Sequence, residues 1–224
     1  MLSKFYKECQ IDTLWKKYKK HYNKEIGLHT KELKDEVVFM WDYLKIPKGN
    51  SSPINNVIVV PNLLNSYFRA TQFEDIVANI VYIIPGPYSE NAPIAATVIH
   101  EMLHSITRPL LLKNKAIIDS LSSLNDLVKE QPTIKNNYNS NFSIVLDESI
   151  VRALTWRIVY RNTDSEFVHK GIQREYKEGF ILIWYFYEAF DDFENNKESL
   201  INYYKTLIFN IDINNEKQRW KANF

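Results

Sequence analysis

The pattern of apolar and polar positions divides the chain into a helical start, a short β-rich middle and a long helical remainder. Residues 10–24 place Ile11, Leu14, Trp15, Tyr18 and Tyr22 on one side of a helix, with Lys16, Lys17, Lys19, Lys20 and Lys24 mostly on the other. Residues 30–46 repeat the pattern with Leu33, Val37, Met40, Trp41 and Leu44, and Pro47–Pro53 reads as a loop and subdomain boundary. Asn56–Val60 and Asn79–Ile84 are β-branched runs closed by prolines and predict strands. Leu63–Thr71 between them fits a strand or a short helix equally. Ser89–Pro93 supplies a polar cap and an early proline, so a helix is expected from there to Thr107, stopped by Pro109. Beyond it, helices are expected over Leu110–Lys129, with a break near Ser120–Ser123, over Ile144–Tyr160, Glu166–Phe190 and, last, Ser199–Asn210. Gln131–Ser143, with Pro132 and four Asn, reads as a polar loop.

The middle helix carries the chemistry. His100-Glu101-Met102-Leu103-His104 is an HExxH motif, and two His four residues apart lie one above the other on one helix face. Both imidazoles can bind one metal ion, usually zinc, while Glu101 is angled toward a water activated by that ion. Thr97, Val98, Ile99, Met102, Leu103, Ser105 and Ile106 surround the three polar residues with uncharged neighbours. Ionisable groups in so apolar a segment are costly without partners. The metzincin continuation HExxHxxGxxH is excluded, because Thr107 and Leu110 stand where Gly and His belong.

A third ligand must then come from another element. Glu148, in the apolar helix Ile144–Tyr160, shares a face with Ile144, Val151, Thr155 and Val159, and a carboxylate there calls for a cation or a metal. A plain Glu148–Arg152 pair at i, i+4 would also satisfy it. Asp147 is the rival, either as ligand or as acceptor for the far nitrogen of a metal-binding His. Asp119 and Asp126 sit on a more polar, less regular segment.

Composition narrows the partners. The 224 residues suffice for one domain, divided at most into an N-terminal helical segment (1–50) and a main domain (51–224). Lys and Arg total 28 against 27 Asp and Glu, so no nucleic-acid partner is expected, and the lysine face of residues 10–24 reads as solvated. Five Gly and no GxGxxG or GxxxxGK[ST] leave no phosphate loop. Cys9 is the only cysteine, which excludes an intramolecular disulfide and cysteine-based zinc sites. Met1–Cys9 lacks a signal-peptide core, and the longest apolar run, Phe180–Tyr187, is too short to span a bilayer. No membrane partner is expected, and the chain is either cytoplasmic or exported with its signal removed.

Over roughly Asn79–Tyr160 the chain resembles the gluzincins, the HExxH-plus-glutamate zinc metallopeptidases. It is most similar to bacterial HExxH families in which a Glu-x-x-x-Arg-Ala helix follows, here Glu148-Ser-Ile-Val-Arg152-Ala. The segment is neither the NExxSD nor the WLNEG form of the larger groups. The resemblance implies an α+β, mainly helical zincin-like domain, with a small sheet on the HExxH helix and a helical C-terminal part. It also implies one Zn2+ held by His100, His104 and Glu148, Glu101 as general base, and a peptide or protein substrate. A Tyr or His would stabilise the oxyanion, and Tyr160, His169 and Tyr176 are the candidates. An edge strand at Asn79–Ile84 would pair with the substrate, unless that run is a central core strand. A catalytically inactive zincin-fold binding protein and a hydrolase of a non-peptide substrate remain alternatives.

Overall fold

Two segments of the chain are apolar around nearly their whole circumference, and a helix of that kind has to be buried. They are Ile94–Lys113 and Phe142–Val159, the third and seventh helices of the chain (α3 and α7), and they pack side by side through the core. The computed structural model describes residues 2–47, 56–67, 69–75, 77–78, 80–87 and 94–223. Around the two central helices lie α1 (Leu2–Glu8), α2 (Ile11–Tyr43), α4 (Lys115–Ser120), α5 (Asn125–Val128), α6 (Pro132–Tyr138), α8 (Ser165–Lys177), α9 (Ile183–Asn195), α10 (Leu200–Phe209) and α11 (Ile213–Asn223). A three-stranded sheet completes the α+β, mainly helical fold: β1 (Asn56–Val59), β2 (Ala70–Asp75) and β3 (Ile80–Pro85), in the order β1-β3-β2.

The sheet packs one face on α3. β3 alternates, so that Val81 and Ile83 are buried while Ile80, Tyr82 and Ile84 are half-buried. β1 pairs with it in parallel and β2 antiparallel. The strand expected over Asn79–Ile84 is therefore central and hydrogen-bonded on both sides, and an incoming peptide cannot pair with it. Among the described residues the free edges belong to β1 and β2. Of the segment Leu63–Thr71, the described residues up to Tyr67 form turns and bends, and β2 begins at Ala70.

Several boundaries differ from the sequence reading for identifiable reasons. The two N-terminal helices are one 33-residue helix, α2, because a single Gly27 in a helix interior costs only about 1 kcal/mol. Leu33 and Met40 in its second half, and Leu44 at its C-cap, bury into the same core as α3 and α7. Pro109 does not end α3, since its missing N–H removes only one hydrogen bond and Leu110 beyond it is buried. The polar loop contains α6, with Pro132 in its first turn and Ile134 fully buried. Glu166–Phe190 is two helices, broken at Gly179, whose φ of 111° is strained for any side chain. Both expected segments at 48–53 and 89–93 lie outside the described residues. Ser199–Asn210 is not the last helix. α11 follows it, anchored by Trp220 against Tyr176 at 5.1 Å between ring centroids.

Glu216 of α11 is also buried, at 1% exposure, with its Oε2 lacking a hydrogen-bond partner and Arg219 Nε 3.9 Å away. Burial raises its pKa from 4.5 to about 7 against the opposing pull of Arg219. The folded protein thus holds a proton between those values that the unfolded chain has lost. Stability from this group is full below about pH 4.5 and is lost as pH rises through 7. Glu216→Gln is expected to stabilise the protein at pH 8 by on the order of 2 kcal/mol and to have little effect at pH 4.5. Thermal melts at the two pH values check this, and equal shifts at both would refute it.

Candidate metal centre

α3 presents His100, Glu101 and His104 to α7, which returns Asp147 and Glu148. The two imidazoles meet edge to face at 86°, with ring centroids 4.8 Å apart and Nε2 atoms 3.2 Å apart. Glu148 closes the group: Oε1 is 3.4 Å from His104 Nε2 and Oε2 is 3.6 Å from His100 Nε2. The three residues offer ligand atoms all within 4.8 Å of one another. A tetrahedral zinc with bonds of about 2.0–2.1 Å requires ligand atoms about 3.3–3.4 Å apart. The two imidazole nitrogens stand near that separation and each faces one oxygen of the Glu148 carboxylate, a donor set that fits such an ion.

Each ligand candidate is held from behind. His104 Nδ1 lies 2.7 Å from Asp147 Oδ2, and the Thr107 hydroxyl donates to Asp147 Oδ1 at 2.6 Å. This partnership leaves His104 Nε2 facing the other two groups, with its lone pair available in the neutral ring. Glu148 accepts from Arg152 Nε at 3.1 Å, so the i, i+4 pair and the approach to the histidines coexist. Arg152 in turn lies 3.5 Å from Glu175, stacks over Phe180 at 4.0 Å and donates to the Tyr138 hydroxyl at 3.4 Å.

Protonation follows from these contacts. Burial drives His100 down to about 3, which keeps its ring neutral. Burial also opposes a charge on His104, but the hydrogen bonds to Asp147 and Glu148 outweigh it and lift the ring to about 9. Glu148 is disfavoured as an anion by burial, yet the histidines and Arg152 bring it down to about 2. Burial raises Glu101, which lies beside the cluster.

These side chains open onto a cleft of about 1020 Å³. His100, Glu101, His104, Glu148 and Tyr160 line it, whereas Asp147 is buried behind His104. The remaining sequence candidates lie elsewhere. His169 is exposed and rests on Trp184, with ring centroids at 4.7 Å, because α8 turns that face away from the cleft. Tyr176 is fully buried against α11. Asp119 and Asp126 form exposed pairs with Lys115 and Lys129. Tyr138, Arg152 and Glu175 line the cleft and were not singled out as site residues by sequence. Tyr138 closes a segment read as loop, and only its position ten residues before Glu148 could have pointed to it.

A family model described as a domain of unknown function, DUF4932, matches residues 76–209. The chain belongs to this family. The DUF4932 region spans β3, α3, α7 and the helices up to α10, and so contains all three ligand candidates and Glu101. No curated protein and no solved structure matches the chain.

One wall of the DUF4932 cleft depends on a glycine. A Cβ on Gly171 of α8 would stand 2.1 Å from Cη2 of Trp156, whose indole N–H donates to Glu175 Oε2 at 3.1 Å. Neither can shift cheaply, as the ring is buried. Gly171→Ala is therefore expected to lower stability by about 1–3 kcal/mol despite the better helix propensity of Ala. Urea denaturation measures it, and an unchanged or raised midpoint would contradict the packing described.

Proposed function

We infer that this chain is a zinc-dependent hydrolase of gluzincin type that cleaves peptide bonds. The observation that carries the reading is the convergence of His100, His104 and Glu148, with the two Nε2 atoms 3.2 Å apart and one Glu148 oxygen 3.4 or 3.6 Å from each, beside the Glu101 carboxylate. A zinc ion bound there supplies Lewis acidity and lowers the pKa of water to about 7. Everything else is the work of the chain's own groups. Asp147 holds His104 in the tautomer and orientation that binding needs. Glu101, half-buried and opening onto the cleft, accepts a proton from the attacking water and returns it to the leaving amine. Tyr138 accepts from Arg152 at 3.4 Å, which leaves its own O–H free to donate to a developing oxyanion. Tyr160 lines the same cleft but stands twelve residues past Glu148, farther from the cluster than this role requires. Ala70 at the start of β2 borders the cleft, so the free edge of β2 offers backbone pairing to an extended peptide.

Metal analysis of the purified protein is expected to give one zinc per chain, falling steeply in Glu148→Ala. Asp147→Asn is expected to weaken zinc binding roughly 10- to 100-fold in competition with a chelator while the fold is kept. Wild type should cut a mixed peptide library, and Glu101→Gln should bind zinc but not cut. Full zinc content in Glu148→Ala, or equal cleavage by wild type and Glu101→Gln, would sink the assignment. A zinc protein that cuts no peptide would be a hydrolase of another substrate or a binding protein.

A further inference from the structure

Three aromatic side chains form one part of the cleft wall beyond the histidines. Trp156 of α7 and Tyr160 at its C-cap have ring centroids 4.4 Å apart, and Phe167, from α8, lies 6.1 Å from Trp156 and 6.0 Å from Tyr160. All three line the same cleft as His100, Glu101 and Glu148. Trp156 is the fixed base of the cluster, clamped between the missing side chain of Gly171 and its hydrogen bond to Glu175. Against that base Tyr160 stays half-buried and Phe167 is 53% exposed. Simple core packing would account for Trp156. It does not account for two further rings held out into a cleft that also contains the ionisable cluster.

The spacing along α7 sets a distance. Trp156 and Tyr160 follow Glu148 by eight and twelve residues, or roughly 12 and 18 Å along a helix. An extended peptide rises about 3.3 Å per residue, so one that runs along α7 from a bond held at the histidines meets the rings about four or five residues away. We propose that Trp156, Tyr160 and Phe167 form a subsite for an aromatic or large aliphatic side chain of an extended peptide, about four or five residues to one side of the cleaved bond. The assignment rests on the peptidase reading above. Its consequence is that the substrate is a long or unfolded peptide segment, since a di- or tripeptide cannot reach both the ionisable cluster and the rings. Aromatic contact of this kind discriminates through offset and edge-to-face ring packing, and it tolerates any side chain large and apolar enough to cover the exposed faces.

The test uses the zinc-loaded full chain and two decapeptides that differ only by Phe or Ser at the position four residues from the bond that mass spectrometry shows to be cut in a mixed library. Wild type is expected to prefer the Phe peptide roughly three- to tenfold in kcat/KM. In the library, aromatic and large aliphatic residues should be enriched about four or five positions away, on one side of the cut only. Phe167→Ala should erase the preference and Phe167→Leu should keep most of it. Fluorescence polarisation of the same two peptides on zinc-loaded Glu101→Gln gives a reading that needs no turnover. Cleavage without positional enrichment, or an undiminished preference in Phe167→Ala, overturns the subsite and leaves the peptidase reading standing. If the library is not cut, the polarisation measurement uses two decapeptides that differ by Phe or Ser at the fifth position. Tighter binding of the Phe peptide then overturns the peptidase reading and leaves aromatic recognition at the three rings. Neither cleavage nor differential binding overturns both.

Discussion

α3 and α7 can pack together only because the ionisable groups each one buries are answered by the other. His104 is 3% exposed and Asp147 3%, and either alone in that interface would be an unpaired polar group at a cost of several kcal/mol. Paired at 2.7 Å, with Thr107 completing the carboxylate, they become a reason for the helices to meet in one register and no other. The same contact turns His104 Nε2 toward His100 and Glu148. The packing of the core and the shape of the candidate metal centre are thus one arrangement.

From that contact the partnerships run outward. Glu148 is answered by Arg152, Arg152 by Glu175 and Tyr138, and Glu175 by the indole of Trp156. The links join three helices: α7 holds Glu148, Arg152 and Trp156, α8 holds Glu175, and α6 ends on Tyr138. The short α6 and the break at Gly179 matter for this reason. They bring Tyr138 and Phe180 together, ring centroids 5.8 Å apart, beside the Arg152 guanidinium, which Phe180 takes on its ring face.

What could be read from the sequence was what local spacing encodes. The HExxH pair shares a helix face by geometry alone, and Glu148 stood out because a carboxylate among Ile144, Val151 and Thr155 needs a partner. The mixed α+β, mainly helical class followed from the change of period along the chain. Long-range placement was not legible. β3 became central rather than an edge because β1 and β2 flank it, a fact of pairing that no single run reveals. His169 and Tyr176 sit on one helix with its faces decided by α9 and α11, and α11 itself has too polar a sequence to announce that Trp220 and Glu216 are buried. Tyr138 was hidden in a stretch whose Pro and Asn content reads as loop, although Pro132 was opening a helix there.

The cluster is an expensive way to join two helices. Buried ion pairs replaced by well-packed apolar residues of similar volume are often as stable or more so, by about 1–4 kcal/mol. A purely structural role would therefore be served better by Leu and Phe at 104, 147 and 148 than by the residues present. His100 sharpens the point, because burial holds its ring neutral and its Nε2 stands 3.2 Å from a second imidazole nitrogen. Two ring nitrogens so placed can share at most one proton between them, and a cation in the space they bound with Glu148 satisfies all three groups at once. On the function proposed above, the cost of burying His100, His104, Asp147 and Glu148 together is met by the ion they would hold.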